Sequence, residues 1–210
     1  MRETTDRPGR KPTMRDEQKR RTRAALLDCA RELFEANGYA GVKIDDIASA
    51  AGCSRATFYL HFTGKGEILQ KIGEEALPPR ATTVYADLDR ILETGSRTEF
   101  TAWVERTIDW FDQHRAILPA WDEALALEPD FKDVARIAYG ALPDAMPSYL
   151  SRWGPDRQTE ARLRIELLVA QLERFFTRWA VHGTIDIPRE LAAGVLADIW
   201  FPALTEPADR

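Results

Sequence analysis

Between Ser54 and Lys65 the chain gathers two hydroxyls (Ser54, Thr57), a guanidinium (Arg55), a phenol (Tyr59), an imidazole (His61) and an ammonium (Lys65). Side chains of these types donate hydrogen bonds to phosphate oxygens and to base edges. They do not make a catalytic set: no nucleophile, base and orienting group stand together in the sequence, and neither paired carboxylates nor a phosphate-binding glycine loop is present. An enzyme built on this chain is therefore the disfavoured reading. Three histidines and two cysteines, Cys29 and Cys53, have no metal-ligand spacing and are too few for a disulfide framework. Free thiols and no cofactor are expected.

Donors like these act only when a rigid element holds them, and the surrounding pattern supplies short helices. Leu26, Ala30, Leu33 and Phe34 recur at helical spacing between about Arg15 and Asn37. Asn37-Gly38 marks the stop, because both residues tolerate the left-handed conformation. Ile44, Ile47, Ala48 and Ala51 form one apolar face over two turns, ending at Gly52. Ser54 then stands as the hydroxyl N-cap of a helix from Arg55 to about Phe62, with Phe58 and Phe62 inward. Arg55, Ala56, Thr57, Tyr59, Leu60 and His61 face outward. Helices this short do not hold alone, since nucleation is costly, so they must pack on one another and on the first helix. A helix, glycine turn and helix with that outward mixture suits the major groove of DNA. Helical hairpins also occur in proteins that never touch DNA.

The composition is globular, with 44% hydrophobic and 30% charged residues, and 210 residues suffice for one sizeable domain or a small domain joined to a larger one. The net charge of −5 is unevenly placed. Residues 1–65 carry 13 Lys or Arg against 9 Asp or Glu, whereas residues 66–210 carry 16 against 25. Residues 1–23 hold nine basic and four acidic side chains, which suits a solvated tail and equally an arm that touches phosphates. No apolar run approaches the ~18 residues of a membrane span, and the N-terminus lacks the apolar stretch of a secretory signal. No membrane partner and a cytoplasmic location are expected.

GYAGVKIDDIASAAGCSRATFYLHFTGKGEIL, Gly38 to Leu69, resembles the N-terminal DNA-binding segment of the tetracycline-repressor (TetR) family of bacterial transcriptional regulators. The matching positions are Gly38-Tyr39, Ile47-Ala48, Gly52, Ser54, Arg55, Ala56, Thr57, Phe58-Tyr59, His61-Phe62 and Lys65. The resemblance implies that Ser54, Arg55 and Thr57 lie at the DNA-facing start of the recognition helix, beside Ala56 and Leu60, with Tyr59, His61 and Lys65 on phosphates. Lys65 opens a helix whose free N–H groups would share its phosphate.

Three positions depart from the family pattern. Lys43 stands where a Ser or Thr usually caps the second helix; a lysine cannot cap, but it reaches a phosphate as a point charge. Cys53 replaces a small aliphatic residue and is expected to serve as a buried apolar side chain rather than a redox switch. Leu60 replaces a residue that is often polar, and either meets a thymine methyl or faces inward. The resemblance covers the first third of the chain, and the remainder agrees in length and in its all-helical pattern.

The expected fold is all-α: a flexible basic arm (1–14), a three-helix helix-turn-helix DNA-binding domain (15–64) and a larger helical domain for ligand binding and dimerisation (65–205). Pro78-Pro79 should end the helix begun at Lys65, with helices following over about 81–93 and 98–113. Prolines 119, 129, 143 and 147 break the next region into short pieces. A helix from about Arg157 to His182 carries Leu168, Leu172, Phe175 and Trp179 on one face, with Ile165, Val169 and Phe176 beside it. The last helix starts at Pro188 and presents Leu191, Val195 and Ile199.

Such two-sided helices need partners, and the resemblance supplies a ligand-binding core on one side and a four-helix dimer interface on the other. Leu168, Leu172, Leu191, Val195 and Ile199 are the residues expected at that homodimer interface. Phe100, Trp103, Trp110, Phe111, Trp121, Tyr139, Phe176 and Trp179 are expected to line a mostly apolar cavity for a small apolar ligand. The reading that follows is a homodimeric repressor, released from a palindromic operator on double-stranded DNA when that ligand binds. The alternatives are a transcriptional activator, or a ligand-binding helical protein that no inducer controls.

Overall fold

The computed structural model of the protein describes residues 13–76 and 78–205, the side chains of 76–82 excepted. Among the described residues the architecture is all-α, with eleven α-helices and no strand. They are α1 (Met14–Gly41), α2 (Ile44–Ala50), α3 (Arg55–Tyr59), α4 (Lys65–Ala76), α5 (Pro78–Thr94), α6 (Arg97–His114), α7 (Leu118–Leu127), α8 (Pro129–Gly140), α9 (Pro147–Ser151), α10 (Gln158–Phe176) and α11 (Arg189–Thr205). Residues 1–12 of the expected basic arm lie outside the described residues. Thr13 already belongs to α1: its hydroxyl accepts from the Asp16 N–H, and the Asp16 carboxylate accepts from the Thr13 N–H at 2.9 Å. This reciprocal pair fixes where the helix begins. Its regular backbone breaks at Gly38 (φ 71), the expected stop, before one further turn to Gly41.

Two apolar cores organise the chain. The first joins Leu26, Ala30 and Phe34 of α1, Ile47 and Ala48 of α2, Phe58 and Phe62, and Ile68, Leu69 and Ile72 of α4. Ile117, Ala120, Ala124 and Phe131, from α7 and α8 and their edges, close its far side. The packing therefore does not part between residues 64 and 65, because α4 is built into the first core. The second core draws on α5, α6, α9, α10 and α11, with Phe100, Trp103, Tyr149, Ile165, Leu168 and Phe176 at 1% exposure or less.

The prolines end helices by opening the next ones. Pro119, Pro129 and Pro147 each occupy the first turn of α7, α8 and α9, where no N–H is missed. The long helix expected to reach His182 is regular only to Phe176 and then widens into a π turn, Thr177–Val181. Among the described residues, no helix is long and apolar enough to cross a membrane.

Candidate nucleic-acid interface

Gly52 (φ 67) supplies the left-handed backbone that reverses the chain after α2. The Cys53 N–H then closes the turn on the Ala48 carbonyl at 2.9 Å. Ser54 caps α3 as its hydroxyl suggests, its Oγ accepting from the Thr57 N–H at 3.1 Å. Five residues cannot hold a helix unaided. What holds α3 is Phe58 (0% exposed) and Phe62 (2%), whose ring centroids are 5.8 Å apart in the first core. Arg23 of α1 adds a clasp: its guanidinium lies 4.2 Å from the Phe62 ring centroid and donates to the His61 carbonyl at 2.8 Å. Nothing in the local pattern around Arg23 announces this contact, which spans 38 positions.

On that base, Ser54, Arg55, Ala56, Tyr59 and Leu60 are exposed, while Thr57 and His61 are half-buried. Leu60 is 77% exposed, so of its two readings the inward one drops out. Arg55 donates to Asp45 at 2.8 Å and to the Tyr59 hydroxyl at 3.3 Å. An ion pair exposed on both sides contributes at most about 1 kcal/mol. A phosphate or base edge could therefore take the place of Asp45 readily. Lys43 is exposed, and its backbone N–H donates to the Asp46 carboxylate at 2.8 Å. Asp46 thus satisfies from within α2 an end that the lysine side chain cannot cap. His61 keeps a buried Nδ1 without a hydrogen bond. Burial first, then the charges of Lys19 and Arg23, hold its pKa below the usual 6.5. Cys29 and Cys53 are free and half-buried, with thiol pKa values pushed up by burial, and Cys53 packs against the first core.

Lys65 points inward. Its ammonium donates to the Tyr39 and Val42 carbonyls, both at 2.8 Å, and lies 4.2 Å from the Tyr39 ring centroid. Two of its three donors are thus committed to the end of α1. The Tyr39 hydroxyl donates to Glu128 at 2.8 Å, and the Ala40 N–H donates to Glu123 at 2.8 Å. Trp121 lies so close over Gly73 that a Cβ there would stand 1.9 Å from its ring. Through Trp121, Glu123 and Glu128, the α7–α8 hairpin grips both the α1–α2 turn and α4. An open cleft of ≈ 830 Å³ runs beside this joint, with Lys43, Arg55, Lys65, Glu67, Glu128 and Asp130 among its walls.

The pattern described as "Bacterial regulatory proteins, tetR family" matches residues 26–72, from the buried face of α1 through the helix-turn-helix into α4. Residues 26–72 form a TetR-family DNA-binding segment. TetR proteins are regulators rather than enzymes. The chain is 28% identical over 142 residues to the HTH-type transcriptional regulator EthR of Mycolicibacterium smegmatis, a match covering 60% of this chain and 65% of that protein. It is 43% identical over 51 residues to the HTH-type transcriptional regulator SrpR of Pseudomonas putida, covering 24% of each. The chain thus spans less than two thirds of the length of these relatives. A tetR-family regulator from Streptomyces coelicolor superposes with a TM-score of 0.61 at 25% identity, covering 88% of this chain and 80% of that one. NalD of Pseudomonas aeruginosa shares the fold, with a TM-score of 0.62 at 17% identity over 92% of this chain and 100% of that one.

In the larger half of the chain the expected ligand residues divide. Phe100, Trp103, Phe111 and Phe176 are buried in the second core, with the Trp103 indole N–H donating to the Val84 carbonyl at 2.9 Å. Trp110 and Trp179 are half-buried at its edge. Trp121 belongs to the other core, 5.0 Å from Phe131 by ring centroid. Tyr139 is 37% exposed and donates to Glu173 at 2.9 Å.

The expected dimer residues divide too. Leu168 (0% exposed) and Leu172 (2%) pack inside the chain's own core and have no surface to offer a partner. Leu191, Val195 and Ile199 of α11 are exposed, and so are Leu163 and Leu167 of α10. Leu163 and Leu167 were not among the residues expected on an interface, although their four-residue spacing was a usable signal of a shared face. Trp200 donates from its indole to Gln171, tying α11 to α10 beside this apolar face.

Proposed function

We propose that this chain is a DNA-binding transcriptional regulator of the bacterial cytoplasm: a homodimeric repressor that leaves a palindromic operator when a small ligand binds its larger domain. The observation that carries the reading is the exposed face of α3 fixed on the buried Phe58–Phe62 pair, inside the span that matches the family. Arg55, Thr57 and Leu60 would address base edges, and Ser54, Ala56, Tyr59, His61 and Lys43 the backbone around them. Lys65 would act mainly by holding the α1–α2 turn, with its remaining N–H free for a phosphate.

The five exposed apolar side chains of α10 and α11, spaced four residues apart along each helix, favour a second copy as the other partner, since apolar side chains lined along a helix face suit a helical interface. Two recognition helices must then sit about one turn of DNA apart, ~34 Å, or a near multiple. The grip of Glu123 and Glu128 on the α1–α2 turn gives the larger domain a means of changing that spacing. Ligand and operator would oppose each other by the same factor, typically ~5 to 150-fold.

The test is fluorescence anisotropy with duplexes from the region upstream of its own gene, across a salt series. Binding should weaken steeply as salt rises, and Arg55→Ala should lower affinity and relax sequence preference by about 1–3 kcal/mol. Affinity indifferent to salt, or to Arg55→Ala, would refute the DNA-reading role of α3. Sedimentation of Leu167→Asp and Val195→Asp should give monomers, and intact dimers for both would move the interface elsewhere.

A further inference from the structure

We propose that Asp45 of α2 is a positioning residue for DNA reading: it holds the Arg55 guanidinium ready for a guanine edge and makes phosphate the poorer alternative. The inference rests on the DNA-reading role of α3 proposed above and gives that role a second residue, on the neighbouring helix.

Arg55 opens α3, and Asp45 lies in the first turn of α2. Two acids stand side by side there and bind different things. Asp46 accepts from the Lys43 N–H at 2.8 Å and so closes the start of its own helix. Asp45 reaches across the turn instead, its Oδ2 accepting from Arg55 Nη1 at 2.8 Å. The other terminal nitrogen of Arg55, Nη2, donates to the Tyr59 hydroxyl at 3.3 Å, and the guanidinium carbon lies 5.7 Å from the Tyr59 ring centroid. The guanidinium is thus held at both terminal nitrogens, from two helices, before any DNA arrives. Side-chain exposure is 57% for Arg55 and 58% for Asp45, so neither charge is there to neutralise a buried one. A pair this exposed adds little to stability.

Its use lies in what it leaves open. A long arginine side chain that must first be ordered loses affinity for its target, and here the ordering is done beforehand. Of the five guanidinium N–H groups, Asp45 and Tyr59 take two and leave three. Two suffice for the O6 and N7 acceptors of guanine. A base edge could displace Asp45, but guanine has no need to. A phosphate differs, because it carries a full negative charge that the adjacent carboxylate repels, and because every step of every duplex presents one. The edge of guanine is neutral. One carboxylate therefore favours the contact that carries sequence information over the contact that carries none.

Binding sites are selected with the full-length native protein from a randomised duplex pool. The selected duplex is then compared by fluorescence anisotropy with a scrambled one of the same composition. Native protein should lose about tenfold in affinity when one guanine position of each half-site carries 7-deazaguanine, which lacks N7 alone. In Asp45→Ala that penalty should shrink to about twofold, scrambled DNA should bind about threefold tighter, and the preference for the selected duplex should fall about tenfold. Asp45→Asn keeps an oxygen for Arg55 without the charge; it should retain most of the 7-deazaguanine penalty yet bind scrambled DNA as tightly as Asp45→Ala. Equal tightening on both duplexes would make Asp45 a general surface charge and overturn the inference. So would a native protein indifferent to 7-deazaguanine at every position, an unchanged penalty in Asp45→Ala, Asp45→Asn binding scrambled DNA no tighter than native protein, or a lower melting temperature as the only change. Arg55→Ala separates this inference from the reading beneath it. If that variant binds both duplexes as native protein does, the DNA-reading role of α3 falls too; if it abolishes the 7-deazaguanine penalty and Asp45→Ala does not, the role stands and the inference alone falls.

Discussion

The chain contains the same small device twice. Near the N-terminal core the Tyr39 hydroxyl donates to Glu128 at 2.8 Å, and in the larger half the Tyr139 hydroxyl donates to Glu173 at 2.9 Å. Burial and the partner carboxylate raise both phenol pKa values. The difference lies in what surrounds them. At the first pair Lys65 lies against the Tyr39 ring, and the charges of Glu128 and Glu123 favour its protonated form against burial. At the second the charge that acts on Glu173 is that of another acid, Asp122. A tyrosine–glutamate pair completed by a lysine is a structural tie. The same pair beside a second acid has a carboxyl that burial and a like charge both make harder to ionise.

Removing the lysine should break this contrast most strongly. Lys65→Met strands the Val42 carbonyl, leaves the Tyr39 carbonyl only a long bond of 3.4 Å from the Val42 N–H, and removes the ammonium on which the Glu128 charge acts, so urea unfolding should show a loss of about 2–3 kcal/mol. Tyr39→Phe removes only the hydrogen bond to Glu128, and about 1–2 kcal/mol should be lost in the same measurement. For Tyr139→Phe the loss should be about 1 kcal/mol, because that tyrosine is 37% exposed against 1% for Tyr39.

Glu173→Gln should run the other way. A carboxyl whose folded pKa is raised above the ordinary 4.5 stabilises the fold fully below that value and less as pH climbs through the folded one. Glutamine suffers no such loss. The variant should therefore melt higher than the native protein at pH 7, with the gap closing towards pH 4. A native protein that melts no lower than Glu173→Gln at pH 7 would mean that Glu173 already has its counter-charge.

The first of the two regions was the more legible in the sequence, for a physical reason. The residues that shape α3 and its turn are contiguous, so Gly52, the Ser54 cap and the Phe58–Phe62 spacing could be read from local geometry. Tyr85, Asp122, Tyr139 and Glu173 come from four helices, and no local period links them. Lys65 illustrates an intermediate case: its position at the start of α4 was plain, but the two carbonyls that engage it belong to residues 26 and 23 positions earlier. On α10 the apolar band is wide enough that its pattern could not say which edge turns inward. Packing in the second core decides it, burying Leu168 and Leu172 and leaving Leu163 and Leu167 outside.

The contact of Trp121 with Gly73 also restricts how the protein can vary. Glycine is the smallest residue and tryptophan the largest, so clearance at this joint is already at its floor on one side and at its ceiling on the other. Every single replacement at 73 adds atoms where a Cβ would already overlap the indole, and every replacement at 121 takes atoms away. Lineages descended from this sequence can therefore jam the joint or slacken it by one substitution, but they can retune it only by changing both residues together.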